Sequence, residues 1–166
     1  FHGCGDGETT LTGNVIYLST FSKTLAPGLR VAWIVAPEEV IARLVPMKQG
    51  ADLCSGTYAQ YVAYEVARDG FMDRHVRKIR AVYGERRLAM LDSLARHFPP
   101  EVTWTKPQGG LFLWIRLPKG VSATDLLAKA LAENVAFVPG GVFYPKGGGE
   151  ETMRLNFSFC SPELIE

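Results

Sequence analysis

Ser19-Thr20-Phe21-Ser22-Lys23-Thr24-Leu25-Ala26-Pro27-Gly28-Leu29-Arg30-Val31-Ala32-Trp33 joins two apolar runs through the densest group of polar side chains in the chain. On its N-terminal side, Asn14 to Ser19 holds Val15-Ile16-Tyr17-Leu18, a β-branched and aromatic run that predicts a buried strand. On its C-terminal side, Leu29 to Ala36 predicts a second buried strand, stopped by Pro37. Two such strands are too few to cover themselves, so residues 14–36 are expected to belong to a larger sheet. Between them the chain delivers hydroxyls and Lys23 into a turn reversed at Pro27-Gly28, with Arg30 leading into the next strand. That set suits a phosphorylated carbonyl compound. A neutral lysine amine forms a Schiff base, a nearby cation and partial burial favour the neutral form, and arginine and hydroxyls hold a phosphate. The same residues also fit a solvated turn with one stray lysine, because turns collect hydroxyls, Pro and Gly for their own reasons.

Downstream, Pro37-Glu38-Glu39 opens a short helix, with proline in the first turn and acids at the positive end of the dipole. Thr57 to Arg68 predicts a helix closed by Gly70. A long helix is expected over about 71–97, where Met72, Val76, Ile79, Tyr83, Met90 and Leu94 form an apolar stripe. Its Arg74, Arg77, Lys78, Arg80, Arg86 and Arg87 read as a solvated face. Beyond Pro99-Pro100, short strands are expected at 102–104, 111–117, 136–138 and 152–159, with a helix from Ser122 to about Asn134. Ser122 and Asp125 are spaced like a capping box that carries Asp in place of Glu. Strands interleaved with one helix and packed on a long helix make an α+β lobe. Residues 1–13, rich in Gly and Thr, read as a loop.

The 166 residues are 47% apolar and 21% charged with a formal net charge of +1, which excludes a disordered chain. Near-neutral charge argues against a dedicated nucleic-acid binder. The longest apolar stretch, Val31 to Pro37, is far too short for the roughly 20 residues of a spanning helix. Cys4, Cys54 and Cys160 are scattered and odd in number, which points to a reducing, cytoplasmic setting. His2, His75 and His97 have no partner at ligand spacing, so no metal site is expected. A P-loop requires a Gly-Lys step that the chain lacks. The S-x-x-K hydrolase pattern finds only Thr20-Phe21-Ser22-Lys23, with threonine at the nucleophile position.

The stretch from Ser19 to Trp33 resembles the lysine signature of the class I/II aminotransferases, enzymes of fold type I that depend on pyridoxal 5'-phosphate (PLP). Three more blocks match in the family's order. They are Lys106-Pro107-Gln108-Gly109-Gly110-Leu111-Phe112-Leu113-Trp114, Val138-Pro139-Gly140-Gly141-Val142-Phe143 and Met153-Arg154-Leu155-Asn156-Phe157-Ser158. Lys48-Gln49-Gly50-Ala51-Asp52-Leu53 is similar to the α-aminoadipate and broad-specificity aromatic subgroup.

The resemblance implies an α/β protein, the C-terminal portion of the PLP-dependent transferase fold. Residues 1–68 would be an incomplete part of the large cofactor-binding domain, and residues 69–166 a small domain cut at its C-terminus. Lys23 matches the Schiff-base lysine, which later moves a proton, and Thr20, Ser22 and Arg30 match the phosphate-holding positions. Thr20 departs from the more usual serine but keeps the hydroxyl. Arg154 matches the arginine that grips the α-carboxylate of an amino-acid or 2-oxo-acid substrate. On the residues alone, Arg154 alternates with Met153 and Leu155, so it should share the opposite face with Asn156 and Ser158, and an exposed strand arginine would do the same. Lys106 to Gly110 reads as a tight lead-in to a strand, and Gly147-Gly148-Gly149 as a surface loop. Family members are homodimers. They place the acid that pairs with the pyridinium nitrogen before the lysine, so a chain with 22 residues ahead of Lys23 is expected to be inactive by itself. The alternative is the PLP-binding effector domain of an aminotransferase-like transcriptional regulator.

Overall fold

The computed structural model describes residues 15–166, so the expected loop at 1–13 lies outside them. The chain forms two compact units, one ending at Arg77 and the other running from Lys78 to Glu166.

In the first unit, β1 (Tyr17–Thr20) pairs antiparallel with β2 (Ala32–Val35), placing Tyr17 opposite Val35 and Thr20 opposite Ala32. Both strands lie where the apolar runs predict them, but they are not buried. Val15 is 73% exposed and Leu18 68%, and Ile34 and Val35 are exposed too. The reason is that, among the described residues, the ribbon has two strands and no third neighbour to extend it. A 3₁₀ turn at Pro27–Leu29 lies between the strands, and helix α2 (Thr57–Ala67) packs against it. Helix α1 (Glu38–Asp52) starts after Pro37 as expected, yet it runs for 15 residues and is not short. Pro46 lies inside it and removes one intrahelical donor without ending the helix. Asp69 and Gly70 both take left-handed backbone, with φ of 60° and 70°, and turn the chain after α2.

Helix α3 (Phe71–His97) crosses the boundary between the units and matches its predicted span. In the second unit β3 (Thr103–Trp104), β4 (Phe112–Arg116), β5 (Val138–Pro139) and β6 (Thr152–Asn156) form an antiparallel sheet in the order β3-β4-β6-β5. Helix α4 (Ala123–Ala132) begins at Ser122, whose Oγ accepts the Asp125 N–H at 3.2 Å. A short helix α5 (Pro162–Ile165) follows. There the Glu166 carboxyl is held below the usual carboxylate range by its hydrogen bond with His97, aided by the Arg96 charge.

One face of this sheet makes the core. Leu113 and Ile115 of β4 and Met153 of β6 are buried with Leu94 of α3, Ala123 of α4, Val102, Leu117 and Phe157. Each of these side chains except that of Ala123 contributes about 1.5–3 kcal/mol on burial. The register pairs Phe112 with Asn156 and Trp114 with Arg154, so these four share the opposite face.

In this sheet two strands depart most from their expected spans. β6 stops at Asn156 because the Asn156 Oδ1 accepts the Ser158 and Phe159 N–H groups, at 2.8 and 3.2 Å, and bends the chain into a turn. β5 begins at Val138, not Ala136, because Asn134 is left-handed (φ 62°) and the Val135 N–H returns to the Ala130 carbonyl. The solvated-face reading of the α3 cations also needs correction. Arg86 donates to the Ser158 carbonyl and Arg87 to the Pro107 carbonyl, and both arginines are half-buried. They tie α3 to the turn after β6 and to the lead-in to β4.

Candidate active site

The turn between β1 and β2 is held by its own polar groups. The Phe21 N–H donates to the Val31 carbonyl at 3.1 Å, and the Leu25 and Ala26 N–H groups return to the Phe21 carbonyl at 2.8 and 3.0 Å. Thr20 Oγ1 donates to the Val31 carbonyl at 3.0 Å and accepts the Ser22 N–H at the same distance. The Thr20 and Ser22 hydroxyls are hydrogen-bonded to each other at 2.9 Å. Phe21 packs its ring on Trp33 with centroids 5.0 Å apart. Lys23 follows this pair of hydroxyls and is exposed, so the partial burial expected for it is not supplied by the described residues.

Arg30 closes the 3₁₀ turn in left-handed backbone, with φ 53° and ψ 34°. For an arginine that conformation costs on the order of 1–3 kcal/mol. It brings the side chain back over its own turn, where Nη1 donates to the Pro27 carbonyl at 3.1 Å. Two hydroxyls, an amine and a guanidinium therefore sit on one turn, a donor set suited to a phosphate beside a carbonyl.

Arg154 lies in the second unit, on β6 between Trp114 of β4 and Val138 of β5. Its guanidinium carbon is 4.1 Å from the centroid of the Phe112 ring and 4.8 Å from that of Phe143. Nε is buried and has no hydrogen-bond partner among the described residues. Among the described residues no carboxylate lies within ion-pairing distance of it. A buried N–H without an acceptor costs about 1–3 kcal/mol, which cation–π contacts of about 0.5–2 kcal/mol offset in part. This is not an exposed strand arginine. It is a half-buried cation packed on aromatic rings without a counter-charge, which suits an anionic ligand.

The structure thus brings Thr20, Ser22, Lys23 and Arg30 onto one turn of the first unit and seats Arg154 among aromatics in the second. Sequence reasoning did not single out Phe112 and Phe143. Strand parity places Phe112 on the Arg154 face, but nothing local marks Phe143. Phe143 ends a 3₁₀ turn (Gly140–Phe143). That turn passes directly over Thr152: a Cβ on Gly140 would sit 1.9 Å from Thr152 Oγ1. Gly147, Gly148 and Gly149 all take positive φ, and Gly149 lies beneath the Tyr144 ring.

The profile of the family aminotransferase class I and II matches residues 7–166. The chain belongs to this family. It is 51% identical over 151 residues to the 2-aminoadipate transaminase of Thermus thermophilus, covering 91% of this chain and 38% of that protein. It is 46% identical over 153 residues to aromatic-amino-acid aminotransferase 1 of Thermococcus litoralis, covering 92% and 37% of the two chains. A solved structure of the α-aminoadipate aminotransferase LysN from Thermus thermophilus, complexed with N-(5'-phosphopyridoxyl)-L-leucine, superposes with a TM-score of 0.86. The two are 49% identical, over 90% of this chain and 38% of that one. Helix-turn-helix transcriptional regulators match at lower identity, one from Bacillus subtilis at 37% over 154 residues, 93% of this chain and 32% of that protein. The fold described above is therefore part of the fold-type I aminotransferase fold, and the chain spans about 38% of the length of the 2-aminoadipate transaminase it matches.

Proposed function

We propose that the protein is a PLP-dependent aminotransferase that exchanges an amino group between an amino acid and a 2-oxo acid. The observation that carries this reading is the β1–β2 turn of a chain belonging to the aminotransferase family. It holds two hydroxyls 2.9 Å apart, the Lys23 amine and the Arg30 guanidinium. PLP fits that donor set, because its phosphate needs hydroxyl and guanidinium donors and its aldehyde needs an amine. Bound there, PLP supplies the carbonyl and the electron-withdrawing ring that amino-group exchange requires. Thr20, Ser22 and Arg30 bind the phosphate. Lys23 would hold the cofactor through Nζ, and its amine would move a proton to and from the substrate Cα. Arg154 binds the α-carboxylate through its terminal nitrogens and so orients the substrate.

The higher identity to 2-aminoadipate and aromatic aminotransferases than to regulators favours turnover over a ligand-sensing role. The same relatives make 2-aminoadipate and aromatic amino acids the amino donors to try first. A homodimer in a reducing cytoplasm belongs to this reading, and Cys54 and Cys160 are free thiols. Among the described residues no helix is long and apolar enough to cross a membrane. The test is to supply the intact protein with PLP, an amino acid and 2-oxoglutarate. Amino transfer with parallel-line, ping-pong kinetics is expected. Tight PLP binding without turnover on any amino donor would contradict the enzyme reading and favour the regulator.

A further inference from the structure

We propose that Phe143 is a positioning residue for Arg154, setting how the arginine presents itself to a carboxylate. This rests on the reading of Arg154 as the carboxylate-binding group. Among the described residues no carboxylate holds the guanidinium and its buried Nε has no acceptor, so aromatic contacts fix its place. Phe112 is carried by the sheet register, whereas Phe143 arrives from outside the sheet, at the end of the 3₁₀ turn.

That turn is restrained well beyond what a surface loop needs. Gly140 crosses Thr152 so closely that any side chain would collide with it. Thr152 in turn donates to the Gly149 carbonyl, from Oγ1 at 2.7 Å and from its N–H at 2.9 Å. The Tyr144 N–H donates to the Gly141 carbonyl at 3.1 Å, and Gly149 lies beneath the Tyr144 ring. Trp114, on the same sheet face as Arg154, meets the Phe143 ring edge-on with centroids 5.5 Å apart. The turn thus holds a ring that is 44% exposed against Trp114, with its face toward a cation. With Nε sealed beside the rings, Nη1 and Nη2 are the donors left for a carboxylate, and the apolar surroundings strengthen that charge-assisted pair.

The test compares Phe143→Leu, Phe143→Tyr and Arg154→Ala in the intact, PLP-loaded protein. Phe143→Leu should raise KM for both the amino acid and the 2-oxo acid roughly threefold to thirtyfold, the span of a partly desolvated cation–π contact. Its kcat and its affinity for PLP should stay within about twofold of the parent, because the contact acts in substrate binding. Phe143→Tyr keeps the ring and should keep the parent KM. A Phe143→Leu variant with unchanged KM, beside an Arg154→Ala variant with raised KM, overturns the proposal and spares the role of Arg154. Unchanged KM in Arg154→Ala overturns the underlying reading. A Phe143→Leu variant that loses KM, kcat, PLP affinity and melting temperature together marks a merely structural ring and also overturns the proposal.

Discussion

Lys23→Ala in the intact protein is expected to abolish covalent attachment of PLP and to lower kcat by about 10²–10⁴-fold or more, the usual contribution of one positioned proton-transfer group. Lys23 is the one lysine between Thr20 and Arg30, so no neighbouring amine on that turn can replace it. Thr20, Ser22 and Arg30 remain in the variant. The cofactor should therefore still bind, noncovalently and through its phosphate. Lys23→Arg makes the sharper control. It keeps the charge, but a guanidinium stays protonated and cannot become the nucleophilic amine, so it should be as inactive as the alanine variant. Absorbance of the bound cofactor together with steady-state turnover reads both effects. Turnover within tenfold of the parent would remove Lys23 from the chemistry.

Arg154→Ala is expected to cost roughly 2–5 kcal/mol in kcat/KM for amino-acid and 2-oxo-acid substrates, the usual penalty for truncating one partner of a buried charge pair. The geometry supports a value toward the upper end. The guanidinium is packed on Phe112 and Phe143, and its removal would leave a carboxylate facing aromatic rings. Arg154→Lys should recover only part of the loss, because a point charge lacks the planar fork that grips both carboxylate oxygens. Steady-state kinetics of the three proteins on one amino acid decides the matter, and equal kcat/KM values would refute the role.

Features encoded within a few residues were legible in the sequence. The α3 stripe fixed a helix at 71–97, and Ser122 caps α4 as its spacing with Asp125 implied. The hydroxyls, Lys23 and Arg30 stood out because they are contiguous in the turn, and Arg154 because the block Met153 to Ser158 resembles the family's, its parity alone fitting an exposed arginine equally well. What escaped depends on partners distant in sequence or on unusual backbone. The apolar runs of β1 and β2 report the environment those strands are suited to. They could not report that the strands form a two-stranded ribbon with exposed Val15 and Leu18. Arg86 and Arg87 resemble any solvated helix cations until Ser158 and Pro107 are placed beside them. The left-handed Arg30 and the early stop of β6 at Asn156 are decisions of single residues that propensity does not weigh. Phe143 reaches Arg154 from a turn that crosses Thr152 at Gly140, where a side chain would collide.

The central claim is that Lys23 carries the cofactor, and covalent mapping tests it most directly. The intact protein would be loaded with PLP, reduced with borohydride, digested and read by mass spectrometry. The phosphopyridoxyl mass is predicted on the peptide containing Lys23, with Lys48 and Lys106 unmodified. A stoichiometric adduct on another lysine, or none at all, would contradict the assignment.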